Sequence, residues 1–282
     1  MPFTLAHPAA VVPFRRVLVF SALVVGSMAP DFRYFLYLAP HGHFSHSIKG
    51  IFLFCLPVGL AVLWVFQKLM KLPLISLAPP DHQARLAGLA APFRWGPAKR
   101  FALILLSLLV GTITHLLWDA FTHDRGFMVR NLPDLRTHAL EEFGSHRPLF
   151  NLLQHGSSLL GMALLAFWYW RWFKRTPPGP VPSYLRLDTR VKAWITASIL
   201  ALSGVLSLAY AYEDSDHLES RSVFVGTAVI TFMSTVFIAI VCFSLWWHWR
   251  ARAFSTQQSG DQQSAINTQH SAPGESSTRR GN

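Results

Sequence analysis

Residues 101–121 read FALILLSLLVGTITHLLWDAF. The run holds no Lys, Arg or Glu, and its ionisable side chains, His115 and Asp119, fall together at its far end. A helix rises about 1.5 Å per residue, so roughly 20 such residues cross a hydrocarbon core about 30 Å thick. Four further runs read the same way: Ile48–Met70, Ser157–Phe173, Val191–Tyr212 and Val223–Trp249. Ser157–Phe173 is the shortest, and its Trp168, Tyr169, Trp170 and Trp172 suit an interfacial aromatic belt. Pro57 is expected to kink the first. The fold class expected is therefore all-α, a polytopic transmembrane helical bundle with five to six membrane-associated spans. Composition agrees, since 51% of the 282 residues are hydrophobic and 14% are charged, against about 25% charged in soluble domains. Phe, at 22, outnumbers Asp and Glu together at 14, which a water-facing surface does not accommodate.

Outward from these runs, the loops carry the topology. Segments 68–100 and 171–192 each hold six Lys/Arg, and the chain after Trp249 holds four. The alternate loops are poorer in net positive charge: 31–49 has Arg33 and Lys49, 122–154 has four Arg offset by four acids, and 213–222 has Arg221. Positive loops stay cytoplasmic, so the alternate loops are expected on the non-cytoplasmic side of a bacterial inner membrane. The formal charge of +11 is read as these flanking signals and not as a nucleic-acid footprint, since no nucleic-acid module is present. Membrane lipids are the partners expected. Cys55 and Cys242 lie inside apolar runs and suggest neither a disulfide framework nor a zinc knuckle. The start lacks the basic region and cleavage site of a secretory signal. Residues 1–252 are read as the helical membrane domain, and 253–282, rich in Gln, Ser, Gly and Thr, as a disordered polar tail. The first 30 residues fit a sixth span or a helical hairpin dipping into the bilayer.

Polar residues gather on one side of this scheme. Pro30-Asp31, then His41, His43 and His46, precede a span; His115, Asp119, His123 and Asp124 close another; His146 and His155 precede the next. A hairpin at the start brings His7 to the same face. His115 and Asp119 are four apart and share one face of a helix, where an unpaired ionisable group is costly in lipid. Imidazole and carboxylate are ligands for zinc-like divalent ions. Each residue alone also has a plain structural reading: a His–Asp pair locking two helices, loop histidines, a Pro-Asp turn. Their convergence on one face is what favours a metal centre. The cluster Glu213, Asp214, Asp216, His217 and Glu219 reads as a solvated loop. No G-x-S-x-G, P-loop or dinucleotide-binding fingerprint is present.

Several stretches together are familiar: Met1-Pro2-Phe3-Thr4 with His7-Pro8-Ala9-Ala10, Gly26-Ser27-Met28-Ala29-Pro30-Asp31-Phe32, Phe44-Ser45-His46-Ser47, His115 to His123, and Leu153-Gln154-His155-Gly156-Ser157-Ser158. Over roughly residues 1–250 the chain resembles the bacterial membrane family called domain of unknown function 4184, which carries no established activity. More distantly, the order of residues resembles LexA-binding, inner-membrane metal-dependent hydrolases, with Gly42 and His43 standing where that family has Arg-Gly. It also resembles zinc-dependent phospholipase C and nucleases, although Leu159 replaces the Glu expected four residues after His155. That likeness implies His7, Asp31, His46, His115, Asp119, His123 and His155 as ligands of one or two divalent ions, zinc foremost, with Asp119 bridging.

The function expected is a membrane-embedded metal-dependent hydrolase of a phosphoester or lipid-linked substrate at the outer interface. Asp31 is the catalytic candidate, placed to orient or deprotonate a water. Arg33 and Arg147 are candidates to pair with a phosphate or to anchor at the interface. The alternative is a non-enzymatic membrane protein, for metal binding, transport or scaffolding, whose His/Asp pairs are structural. Transporters tend to carry midplane ionisable groups and internal repeats. Here the ionisable groups sit at span ends and no repeat is found.

Overall fold

The computed structural model describes residues 3–38, 44–138, 147–214 and 221–270; the side chains of 221–222 and 252–270 are not described. Among these residues every regular element is helical. Three short helices come first, α1 (Pro8–Val11), α2 (Phe20–Gly26) and α3 (Phe32–Tyr37), interleaved with 3-10 turns. A continuous helix, α4, spans Ile48–Leu77. Then come α5 (Pro80–Leu86), α6 (Ala98–Thr122), α7 (Phe127–Asn131), α8 (Leu149–Arg175), α9 (Thr189–Asp214) and α10 (Arg221–His270). Five segments are long and apolar enough to cross a membrane: Ile48–Leu77, Ala98–Asn131, Leu149–Arg175, Thr189–Asp214 and Val223–Ala251. They match the five runs read from sequence, and the chain is a multi-pass helical membrane protein. The last helix runs on to His270, into the polar stretch expected to form a tail.

Proline shapes α4. Pro57 cannot donate to the carbonyl of Leu53, nor Pro73 to that of Leu69. The helix widens to π geometry over Ile51–Cys55 and Phe66–Met70, just before each proline. The freed Leu69 carbonyl takes a hydrogen bond from His248 Nε2 at 3.0 Å, which ties α10 to α4.

The N-terminal segment is a hairpin. Thr4 Oγ1 donates to Asp31 Oδ2 at 2.6 Å, so the chain leaves and returns between these two residues. Its tip carries exposed Arg15 and Arg16. The returning limb, α2, lies along α6: Val19 N donates to Ser107 Oγ at 2.9 Å, and Thr112 Oγ1 donates to the Gly26 carbonyl at 3.2 Å. From the level of Asp119 to that of Ser107, where Val19 sits, the hairpin runs about 18 Å along α6. Close approach requires glycine on both sides. A Cβ at Gly26 would run into the Leu108 carbonyl, and one at Gly111 into the Leu23 carbonyl.

Burial separates the spans. A third of the most apolar window of Ala98–Asn131 (33%) is buried, against 11% for Leu149–Arg175 and for Thr189–Asp214. Helix α6 is thus among the most enclosed, with α4 and α10 each at 28%. Helices α8 and α9 turn most of their surface outward to lipid. The core beside the hairpin is Val19, Ala22, Val25, Leu63, Ile104 and Leu108.

Candidate metal centre

The buried positions of α6 are Ile104, Ser107, Leu108, Gly111, Thr112, His115, Asp119 and Thr122, a stripe recurring every three or four residues. It faces the hairpin, and its last polar members build the site. The carbonyls closing α2 lack helical partners of their own. One of them, on Ser27, receives His115 Nδ1–H at 2.8 Å, which fixes the tautomer and aims Nε2 into the cluster. His7 is held in the same manner, with Nδ1 3.3 Å from the Thr4 carbonyl and Nε2 directed at Asp119. Its ring stacks on that of His115, centroids 3.9 Å apart. Asp31 arrives on the 3-10 turn Ala29–Asp31, started by Pro30, and Thr4 occupies its Oδ2. His46 comes from the loop before α4, where Ser47 caps the helix by accepting from Gly50 N at 3.1 Å.

Six contacts knit these groups together. Asp119 Oδ1 lies 3.3 Å from His7 Nε2 and 3.4 Å from His123 Nδ1; its Oδ2 lies 3.3 Å from His46 Nε2 and 3.2 Å from His115 Nε2. Asp31 Oδ1 is 3.5 Å from both His46 Nε2 and His115 Nε2. Two triads, His7/Asp31/His115 and His46/His115/Asp119, bring one ligand atom from each residue within 4.8 Å of the others. His7, Asp31 and His115 are almost fully buried, while the His46 side chain is 20% exposed and opens toward the surface.

These spacings bear on whether the residues fit a metal. Charge-assisted N–H···O bonds run about 2.7–2.9 Å. Ligands bound tetrahedrally at about 2.1 Å stand roughly 3.4 Å apart. The observed 3.2–3.5 Å matches the second geometry. With Nδ1–H donated to a carbonyl, a neutral His115 turns the lone pair of Nε2 toward two carboxylates, an arrangement that calls for a cation or a proton between them. A backbone carbonyl stands behind Nδ1 of both His7 and His115, the support that metal-binding imidazoles usually have. The donor set of imidazole and carboxylate suits zinc or a similar divalent ion.

Electrostatics point the same way outside the spans. Burial opposes ionisation of Asp31, but the neighbouring His115 and His46 outweigh it and hold the carboxyl well below the usual carboxylate range. Burial opposes charging of His46, but its contacts with Asp119 and Asp31 prevail and push it up to about 9. Two buried carboxylates thus attract positive charge strongly.

Of the residues expected from sequence, His7, Asp31, His46, His115 and Asp119 meet in one cluster, and His123 lies at its edge against Asp119. His155 does not join them: it is exposed on α8. Its neighbours do the positioning. Ser157 Oγ accepts from Trp118 Nε1 at 2.9 Å, and Ser158 Oγ accepts from Phe3 N at 3.1 Å, which docks the N-terminus on α8. Asp124 pairs with Arg136 at 3.2 Å on the surface, His138 is exposed, and Arg147 bonds Asn151 at 3.2 Å. His41, His43, His146, Asp216, His217 and Glu219 lie outside the described residues. Sequence reading missed Thr4 and Tyr34. Thr4 holds Asp31. Tyr34 is buried and stacks on His46, ring centroids 5.8 Å apart. The signal available for both was spacing, since each stands three residues from a site residue, His7 and Asp31 respectively.

Among curated proteins and among solved structures, no significant match to the chain is found. A family model does match, over residues 1–245. The chain belongs to the family described as domain of unknown function (DUF4184).

Proposed function

We propose that this cluster is the divalent-metal centre of a membrane-embedded hydrolase acting on a phosphoester, free or lipid-linked, at one face of the bilayer. The observation that carries the reading is geometric: imidazoles pinned through Nδ1, as for His115 on Ser27, present Nε2 to carboxylates at 3.2–3.5 Å. Bound there, a zinc-type ion supplies a water acidified toward neutrality and a Lewis acid for a phosphoryl oxygen. His7, His115, His46, Asp31 and Asp119 would hold one or two ions, with His115 common to both triads.

The chain's own residues do the rest. Asp31, its Oδ2 engaged by Thr4, keeps Oδ1 turned to the centre and would orient a water there. The open side of the site is marked by His46. Arg33, two residues beyond Asp31, lies near it, with its guanidinium over Tyr37 at 5.2 Å and over Phe44 at 5.8 Å. Among the described residues it has no carboxylate partner, which suits a cation receiving phosphate. The location at the ends of the spans favours a substrate reached from the interface. The Lys/Arg asymmetry of the loops favours the inner membrane of a bacterium, with this face non-cytoplasmic.

Elemental mass spectrometry on detergent-purified protein is the test. The expected result is near-stoichiometric zinc, manganese or iron in the wild type, lost in His115→Ala/Asp119→Ala that still unfolds cooperatively. A phosphodiester and phospholipid screen follows on the loaded protein. Metal-free wild type after chelator-free purification, with both substitutions merely lowering stability, overturns the reading in favour of a structural His/Asp brace.

A further inference from the structure

The opposite end of the bundle holds a second, unrelated polar feature. Where the loop after α5 enters α6, a cavity of about 460 Å³ is lined by Arg94, Gly96, Pro97 and Arg100. Its polar side chains are both guanidinium groups. Among the described residues neither arginine forms an ion pair, and the buried Nε of Arg100 has no hydrogen-bond acceptor. The indole Nε1 of Trp95, between the lining residues, is likewise buried and without an acceptor. Arg100 is held from one side by the Phe93 ring, 6.0 Å from its guanidinium carbon, and Phe93 packs edge-on against Trp95 at 5.0 Å. Both aromatic residues rest on the hydrophobic core of Val19, Leu63 and Ile104, so the platform under the arginines is fixed.

Two guanidinium groups without an acidic partner among the described residues, one of them with a buried, unpaired Nε, suit an anion. The depth of the cavity narrows the anion. The cavity stands where α6 begins, at the headgroup level of a spanning helix, and Phe101, 41% exposed, opens the lipid-facing surface directly after Arg100. Guanidinium binds phosphate through paired N–H groups, and basic pockets at this level take lipid headgroups.

We propose that Arg94 and Arg100 bind the phosphodiester of an anionic phospholipid. The lipid's acyl chains lie against the outer surface of α6, and the site is independent of the His/Asp cluster. A lipid so held braces the entry of α6, the helix that carries His115 and Asp119 at its other end.

The test uses lipid-stripped full-length protein in a non-ionic detergent, followed by thermal unfolding and native mass spectrometry. Short-chain phosphatidylglycerol, short-chain phosphatidylcholine and inorganic phosphate are the probes. Phosphatidylglycerol is expected to remain bound and raise Tm, with phosphatidylcholine much weaker. In Arg94→Ala/Arg100→Ala its affinity is expected to fall about ten- to thirty-fold, the scale of two basic contacts at a membrane surface. Metal content stays at the wild-type level in that variant, which separates this outcome from any failure of the metal reading. Should the double variant not fold, Arg100→Gln is measured in its place. Equal binding of the two lipids, or unchanged binding in the variant, overturns the proposal. Inorganic phosphate matching the lipid at equal concentration overturns the lipid assignment in favour of a free anion. An equal loss in Lys174→Ala/Arg175→Ala reduces the effect to general interfacial charge and also overturns it.

Discussion

Single atoms decide what the cluster can do. The Thr4 hydroxyl is the sharpest case, since it engages one oxygen of Asp31 at 2.6 Å and leaves the other for the centre. Thr4→Val keeps the shape and removes that bond, so metal affinity is expected to fall about ten-fold or more, by equilibrium dialysis. His155→Ala is expected to leave metal content unchanged, because the residue is exposed and apart from the cluster. A loss of metal there would return His155 to the ligand set. The acid–base behaviour has a definite sign. His46, raised from 6.5 to about 9, stabilises the metal-free fold fully below 6.5 and loses that contribution as pH rises through 9. Asp31, lowered from 3.8, contributes above 3.8 and loses it only as the medium turns strongly acidic. Chelated protein is therefore expected to lose stability between pH 7 and 10, and bound metal to abolish that loss by replacing the proton. A flat profile for chelated protein in that window would remove His46 from the charge balance.

Elements bring these atoms within reach. The hairpin lies against α6 because Gly26 and Gly111 leave room for carbonyls where other residues carry Cβ. Gly111→Leu is expected to cost about 3 kcal/mol or more and to release His7 and Asp31 together, so folded protein and metal disappear in parallel. Helix α4 shows how a proline is accommodated in a span. The π turn before Pro73 leaves the Leu69 carbonyl to His248 at 3.0 Å. His248→Ala leaves that part-buried acceptor without its bond and is expected to destabilise by about 1 kcal/mol without touching metal content. Thermal unfolding with parallel elemental analysis distinguishes the two variants. The proline was legible in the sequence; the partner of the Leu69 carbonyl, 179 residues from it, was not.

At the scale of the molecule, the chain is polarised along the membrane normal. The His/Asp cluster closes one end, and the other end carries Arg94 and Arg100 with the buried Lys192, whose Nζ bonds the Ala78 carbonyl at 2.9 Å and Gln83 Oε1 at 2.7 Å. On the orientation proposed above from the loop charges, that second end faces the cytoplasm. In whole cells, a cysteine introduced at Asp134 is expected to react with a membrane-impermeant maleimide, and one at Gly88 only after permeabilisation. The reverse pattern would place the His/Asp cluster on the cytoplasmic side.

The sequence by itself determined the class of molecule and its spans, because 51% hydrophobic residues packed into long runs have one low-energy environment. It also pointed to most of the cluster. His115 and Asp119 share a helix face by spacing alone, and ionisable groups beside lipid are retained only for a reason. What it left open was long-range. Whether residues 1–30 cross or return depended on a Thr4–Asp31 bond and a glycine crossing that no local pattern encodes. His155 looked equal to the other histidines in one dimension, yet the rotation of α8 turns it outward and presents Ser157 and Ser158 to the core. Periodicity reports which residues share a face, whereas the packing of one helix on another decides what that face meets.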